Sequence, residues 1–94
     1  MENKEKKSTK LELICIYDRK SGLYNGISAV VNNAVALRSF ADECANPKSM
    51  LSLHAEDYEL VNLGTLEMET GKIEPKNLPT VIGSASQFVK KEQN

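Results

Sequence analysis

Ninety-four residues, with 40% hydrophobic and 27% charged side chains and a formal net charge of −1, describe one small domain with a thin core. A near-neutral chain of this size excludes a broad cationic surface, although a polarised domain with a basic arm remains open. With no Trp, two Phe and three Tyr, the core must be mostly Leu, Ile, Val and Ala, and such a domain gains from self-association.

The first nine residues are polar and lysine-rich and read as a mobile arm. Lys4, Lys6, Lys7 and Lys10 crowd this end, so residues 1–48 sum to +2 and residues 49–94 to −3. MENKEKKSTK leads into LELICIY, an apolar stretch too short for export or for crossing a bilayer. The expectation is a cytoplasmic protein without membrane contact.

From Lys10 the pattern becomes a strand. Leu11, Leu13, Cys15 and Tyr17 share one face, while Ile14 and Ile16 make the other apolar as well. A strand apolar on both faces belongs in the interior of its sheet. Asp18 to Gly22 is turn chemistry, and Leu23 to Val31 is the returning strand, with Ile27, Ala29 and Val31 on one face. Asn25-Gly26 marks a bulge or a second turn inside it.

Asn32 or Asn33 can cap a helix over residues 33–45. Leu37, Phe40, Ala41 and Cys44, with Asn33 or Ala34 one turn earlier, form its core stripe, and Arg38, Asp42 and Glu43 face away. Asn46-Pro47 ends it, and Ser49 to Leu53 can add one further turn. Tyr58 to Leu66 is a third strand, where Leu60, Val61 and Leu63 break strict alternation and predict a bulge or burial on both faces. Gly71 turns the chain into a short fourth strand around Lys72 to Glu74, which Pro75 and Pro79 close at a sheet edge. Val81, Ile82, Ala85, Phe88 and Val89 have helical spacing and predict a short C-terminal helix before a polar tail at 90–94. The fold expected is α+β, a single domain over residues 10–89: an antiparallel sheet in ββαββ order, with one main helix packed on it and a short C-terminal helix.

No residue set points to catalysis. His54 stands near Ser52, Glu56 and Asp57, but triad partners ordinarily come from separate elements around an oxyanion pocket. Cys15, Cys44 and His54 are scattered singly, without the paired short spacings of a zinc site, and the cysteines read as buried free thiols. The glycines form no phosphate-binding loop. The chain is therefore expected to be non-enzymatic, without metal or cofactor.

One cluster could carry binding. Lys10, Tyr17, Arg19, Lys20 and Tyr24 belong to the first hairpin or its tip, and Arg38 lies on the outer helix face. Rings beside cations suit single-stranded nucleic acid, where bases stack on the rings and Lys or Arg track phosphates. A charged turn with two half-buried tyrosines is the plainer reading.

The chain also resembles the small nonstructural protein of gokushovirus-type microviruses, phages with a circular single-stranded DNA genome. The matching residues are Tyr17-Asp18, Tyr24, Asn32-Asn33, Ala36, Arg38, Phe40, Asn46-Pro47, Ser49, Glu56-Asp57-Tyr58, Leu60, Leu63-Gly64 and Thr70-Gly71, in that order across residues 10–73. Ala55 departs from the pattern, which often has Pro there. The resemblance implies a protein of the infected bacterium's cytoplasm, absent from the virion. It further implies binding to single-stranded DNA and regulation of genome replication or packaging. The alternative is an adaptor that modulates a phage or host replication protein without touching DNA. A symmetric homodimer, burying either the open sheet face or an edge strand, is expected in both cases.

Overall fold

The apolar run after Lys10 forms an interior strand because both of its flanks are paired. The computed structural model describes residues 9–89. Its elements are β1 (Lys10–Asp18), β2 (Leu23–Val30), α1 (Asn33–Cys44), α2 (Met50–Leu53), a 3₁₀ turn at Ala55–Asp57, β3 (Tyr58–Glu67), β4 (Ile73–Ser84) and a second 3₁₀ turn at Ala85–Gln87. The strands form one sheet in the spatial order β2-β1-β3-β4, antiparallel throughout. The fold is α+β, a four-stranded antiparallel sheet with a helix packed on it. The bare ββαββ scheme omits α2 and the 3₁₀ turn, which follow α1 before β3 begins.

Asn32 caps α1, its side-chain oxygen accepting from the Val35 N–H at 2.9 Å. Replacing Asn32 with Ala should cost about 1 kcal/mol, read as a lower urea midpoint with an unchanged slope. Ala36, Phe40 and Cys44 of α1 are buried against Ile14, Leu60 and Ala85. Ile16, Val30, Leu37, Leu51, Ala55, Phe88 and Val89 pack around them, and the Phe40 and Phe88 rings meet edge to face, 6.2 Å between centroids. Both helices and both 3₁₀ turns thus share one face of the sheet. The stripe predicted through Leu37, Phe40 and Cys44 packs inward, but Ala36 is buried where Leu37 and Ala41 are only half-buried.

Two expectations at the C-terminal end are corrected. No C-terminal helix forms among the described residues: Val81 and Ile82 lie in β4, and only the three-residue 3₁₀ turn follows. A segment this short is marginal as a helix, whereas along β3 it gains ladder hydrogen bonds. The fourth strand does not end at Glu74 but runs through Pro75 and Pro79 to Ser84. It can because it is the outer strand, where a missing N–H need not break a ladder. The register also slackens there. Asn62 pairs with Thr80 and Gly64 with Pro75, so Lys76, Asn77, Leu78 and Pro79 stand opposite the single residue Leu63.

Residues 1–8 of the expected arm and the tail at 90–94 lie outside the described residues. Thr9 is held at the sheet, its N–H donating to the Glu69 carboxylate at 2.9 and 3.0 Å. That bond holds the Glu69 carboxyl below its usual range.

Candidate nucleic-acid interface

The face of the sheet away from α1 is built by alternation. Since Ile14 and Ile16 point into the helical core, Leu11, Leu13, Cys15 and Tyr17 point the other way. The register extends each across the sheet: Tyr24–Tyr17–Glu59, Cys15–Val61–Val81, Ala29–Leu13–Gly64–Pro75 and Leu11–Leu66–Ile73. Leu13, Cys15 and Val61 at the centre are buried, while Val81 and Ile73 at the rim are exposed. Among the described residues no helical element packs on this face.

Tyr17 and Tyr24 are cross-strand partners with ring centroids 4.5 Å apart and planes tilted by 39°. Tyr24 remains 49% exposed. Arg19 follows directly at the hairpin tip. Its guanidinium donates to the Glu56 carbonyl at 2.9 Å and lies 3.7 Å from the Glu59 carboxylate. Lys20 is exposed, its backbone N–H accepted by the Asp18 carboxylate at 2.9 Å. Four of the six predicted residues, Tyr17, Arg19, Lys20 and Tyr24, therefore lie at one end of the sheet, on the β1–β2 hairpin, with the two rings in contact.

Lys10 and Arg38 do not join them. Lys10 opens β1 and Asp18 ends it, about 26 Å apart at roughly 3.3 Å per residue, and Lys10 sits instead beside Glu67, Lys72 and Glu74. Arg38 is exposed on α1, which covers the opposite face. Strand length and face alternation separate residues that composition alone had grouped.

Glu59 is the member that sequence reasoning missed. Nothing in its neighbourhood marks it; only the β1–β3 register sets it beside Tyr17 and within reach of Arg19. It answers part of the arginine's charge, so the cluster is aromatic and only mildly cationic. A ring pair with two flanking cations can stack a base and hold a phosphate.

The other candidates form no comparable arrangement. Ser52, His54, Glu56, Asp57 and Ser86 line a shallow groove of about 330 Å³, with His54 at the end of α2, where its backbone N–H donates to the Met50 carbonyl. Among the described residues no three His, Cys, Asp or Glu side chains group as a metal site, and no helix is long and apolar enough to cross a membrane. Burial pushes the Cys15 thiol up, and burial together with Glu43 does the same for Cys44. Both thiols should therefore resist alkylation at pH 8 in the folded protein and react at once in denaturant, which a timed thiol assay measures.

No curated protein and no solved structure matches this chain. A family model described as "Phage ORF5 protein" matches residues 11–88, from the second residue of β1 to the residue after the second 3₁₀ turn. That span takes in all of the sheet but Lys10 and every helical element described above, and the chain belongs to the Phage ORF5 protein family.

Proposed function

We propose that this phage protein is a non-enzymatic, cofactor-free binder of single-stranded DNA, the nonstructural protein of a gokushovirus-type microvirus. In this reading it acts in the cytoplasm of the infected bacterium and regulates genome replication or packaging. The observation that supports the reading is the Tyr17–Tyr24 ring pair, with Tyr24 exposed, at the hairpin end that also carries the exposed Arg19 and Lys20. A base stacks on Tyr24 while the two cations hold the adjoining phosphates.

Fluorescence anisotropy with a labelled oligonucleotide tests it. Affinity should fall as salt rises, because each neutralised phosphate releases counterions. Tyr24→Ala should remove about 1–3 kcal/mol of binding, and the double change Arg19→Glu, Lys20→Glu should weaken binding to every sequence alike. No binding at low salt with micromolar protein would defeat the proposal.

A second reading has its own support. Arg19 is already engaged by Glu59 and by the Glu56 carbonyl, and the chain carries a net −1, which suits an adaptor that contacts a phage or host replication protein directly. Pull-downs from infected cells before and after nuclease treatment separate the two. A partner retained after digestion favours the adaptor.

A further inference from the structure

β2 is an unguarded sheet edge. It lies outermost in the order β2-β1-β3-β4, so one side of its backbone has no neighbour among the described strands. Its sequence, LYNGISAV, holds neither a charged residue nor a proline, the usual devices that keep an edge from pairing. The other edge has both, in Glu74, Pro75, Lys76 and Pro79. Leu23 and Ile27 of β2 and Val31 just after it are also exposed, at 63%, 62% and 64%. On the helical side an apolar groove of about 280 Å³, lined by Ile14, Ile16, Val30, Phe40 and Leu51, opens beside the strand.

The bulge decides what kind of strand fits this edge. Ile14 pairs with Ser28 and Ile16 with Asn25, so Gly26 and Ile27 together stand opposite Cys15. The extra residue reverses the alternation halfway along β2. Leu23, Asn25, Ser28 and Val30 consequently lie on the helical face, because their partners are Asp18, Ile16, Ile14 and Glu12. Tyr24 and Ala29, partners of Tyr17 and Leu13, lie on the other. The strand is a palindrome in orientation: read from either end, the faces repeat in the same order. Backbone direction follows the same symmetry. Alternate residues of an antiparallel strand turn both of their hydrogen-bonding groups to one side. Tyr24 and Ala29 face partners four residues apart on β1, so the two present their backbone groups in the same sense.

We infer that β2 pairs with β2 of a second copy of this chain, antiparallel about a two-fold axis between Gly26 and Ile27, to make a continuous eight-stranded sheet. Leu23 then faces the second copy's Val30, Tyr24 its Ala29 and Asn25 its Ser28, with every side chain on the matching face. A second copy fits this edge on two counts. The pairing sets no charged residue against its like, and a two-fold contact lets one self-complementary strand serve both chains. The segments outside the described residues, 1–8 and 90–94, offer a single apolar side chain, Met1, and cannot supply the apolar cover that Leu23, Ile27 and Val31 call for. Growth stops at two chains because the outer edge of each copy is β4, with its prolines and charges. The inference stands apart from DNA binding, although the joined sheet would present both helix-free faces as one surface.

Sedimentation equilibrium of the full chain should give about twice the 10.4 kDa chain mass. Ile27→Lys places two ammonium groups beside the axis at an exposed position and should weaken association at least tenfold, with the circular dichroism spectrum unchanged. Register is read by cross-linking. A chain carrying Asn25→Cys and Ser28→Cys should form a covalent dimer under mild copper–phenanthroline oxidation, whereas Tyr24→Cys with Ser28→Cys, on opposite faces, should not. A single-chain mass up to high micromolar concentration overturns the inference. So does a dimer indifferent to Ile27→Lys but lost in Val81→Lys, which would assign the contact to the helix-free face. Assembly beyond two chains overturns the closed two-fold.

Discussion

Gly64→Ala should leave the protein largely unfolded. Gly64 has a φ of +147°, a backbone conformation essentially reserved for glycine, and an L side chain there costs on the order of 1–3 kcal/mol. A Cβ at this position would also run into the Glu74 carbonyl and lie 2.8 Å from the Pro75 Cα. These are backbone atoms of the paired strand and cannot rotate aside, so forced separation adds roughly another 1–3 kcal/mol. Together the two terms rival the whole stability of a small domain, about 5 kcal/mol at the low end. Thermal melts followed by circular dichroism provide the measurement: loss of the cooperative transition is expected, and a melting temperature within a few degrees of the parent would refute the account. Gly83→Ala is the informative contrast. Its added Cβ would meet Leu37 Cδ1 at 2.9 Å, the far end of a flexible side chain, so a smaller loss is expected.

Asn62→Ala should destabilise the fold by about 3 kcal/mol. Asn62 is the one buried polar residue among the described residues, 1% exposed, and its amide is fully used. The Nδ2 group donates to the Glu12 carboxylate and to the Asn33 side-chain oxygen, both at 2.8 Å, and Oδ1 accepts from the Gly64 N–H at 2.8 Å. One side chain therefore joins β1, the first turn of α1 and the irregular stretch of β3. Truncation strands a half-buried carboxylate and a buried N–H, each costing roughly 1–3 kcal/mol. Asn62→Asp keeps the shape but sets a second carboxylate against Glu12. Like charges raise the folded-state pKa values above their unfolded ones, so this variant's stability should be greatest in acid and fall as pH rises through the raised values. Urea titrations at pH 4 and pH 7 would show it. Equal losses at both values would mean that Asn62 acts by shape alone.

These two positions show where reading the sequence stops. Broken alternation at Leu60, Val61 and Leu63 signals an irregularity in the third strand, and the register shifts opposite Leu13/Ile14 and around Asn62/Gly64 are that irregularity. Nothing in the sequence tells that Asn62 is its clamp or that Gly64 touches a strand ten residues further on. Those facts depend on which strand lies alongside, and pairing is a property of the folded sheet. Asn25-Gly26 is a similar case: the dipeptide marks a bulge, while its consequence, a strand symmetric about its own middle, follows only from the partners across it.

Local chemistry alone determines much of this protein. The two-sided apolar pattern of β1 requires an interior strand, Asn32 caps the helix through its own side chain, Phe40 and Cys44 repeat at helical spacing, and Asp18 to Gly22 turns the hairpin. Each depends on residues within a few positions of one another, where backbone preference and periodicity act directly. Tertiary structure decided the rest. It carried the chain through Pro75 and Pro79, because an outer strand tolerates a missing N–H, and it held the segment after Val81 in a ladder rather than a helix. It brought Glu59 to the hairpin residues Tyr17 and Arg19 and left Lys10 and Arg38 apart from them, since register, strand length and face alternation, not proximity in sequence, set which side chains meet.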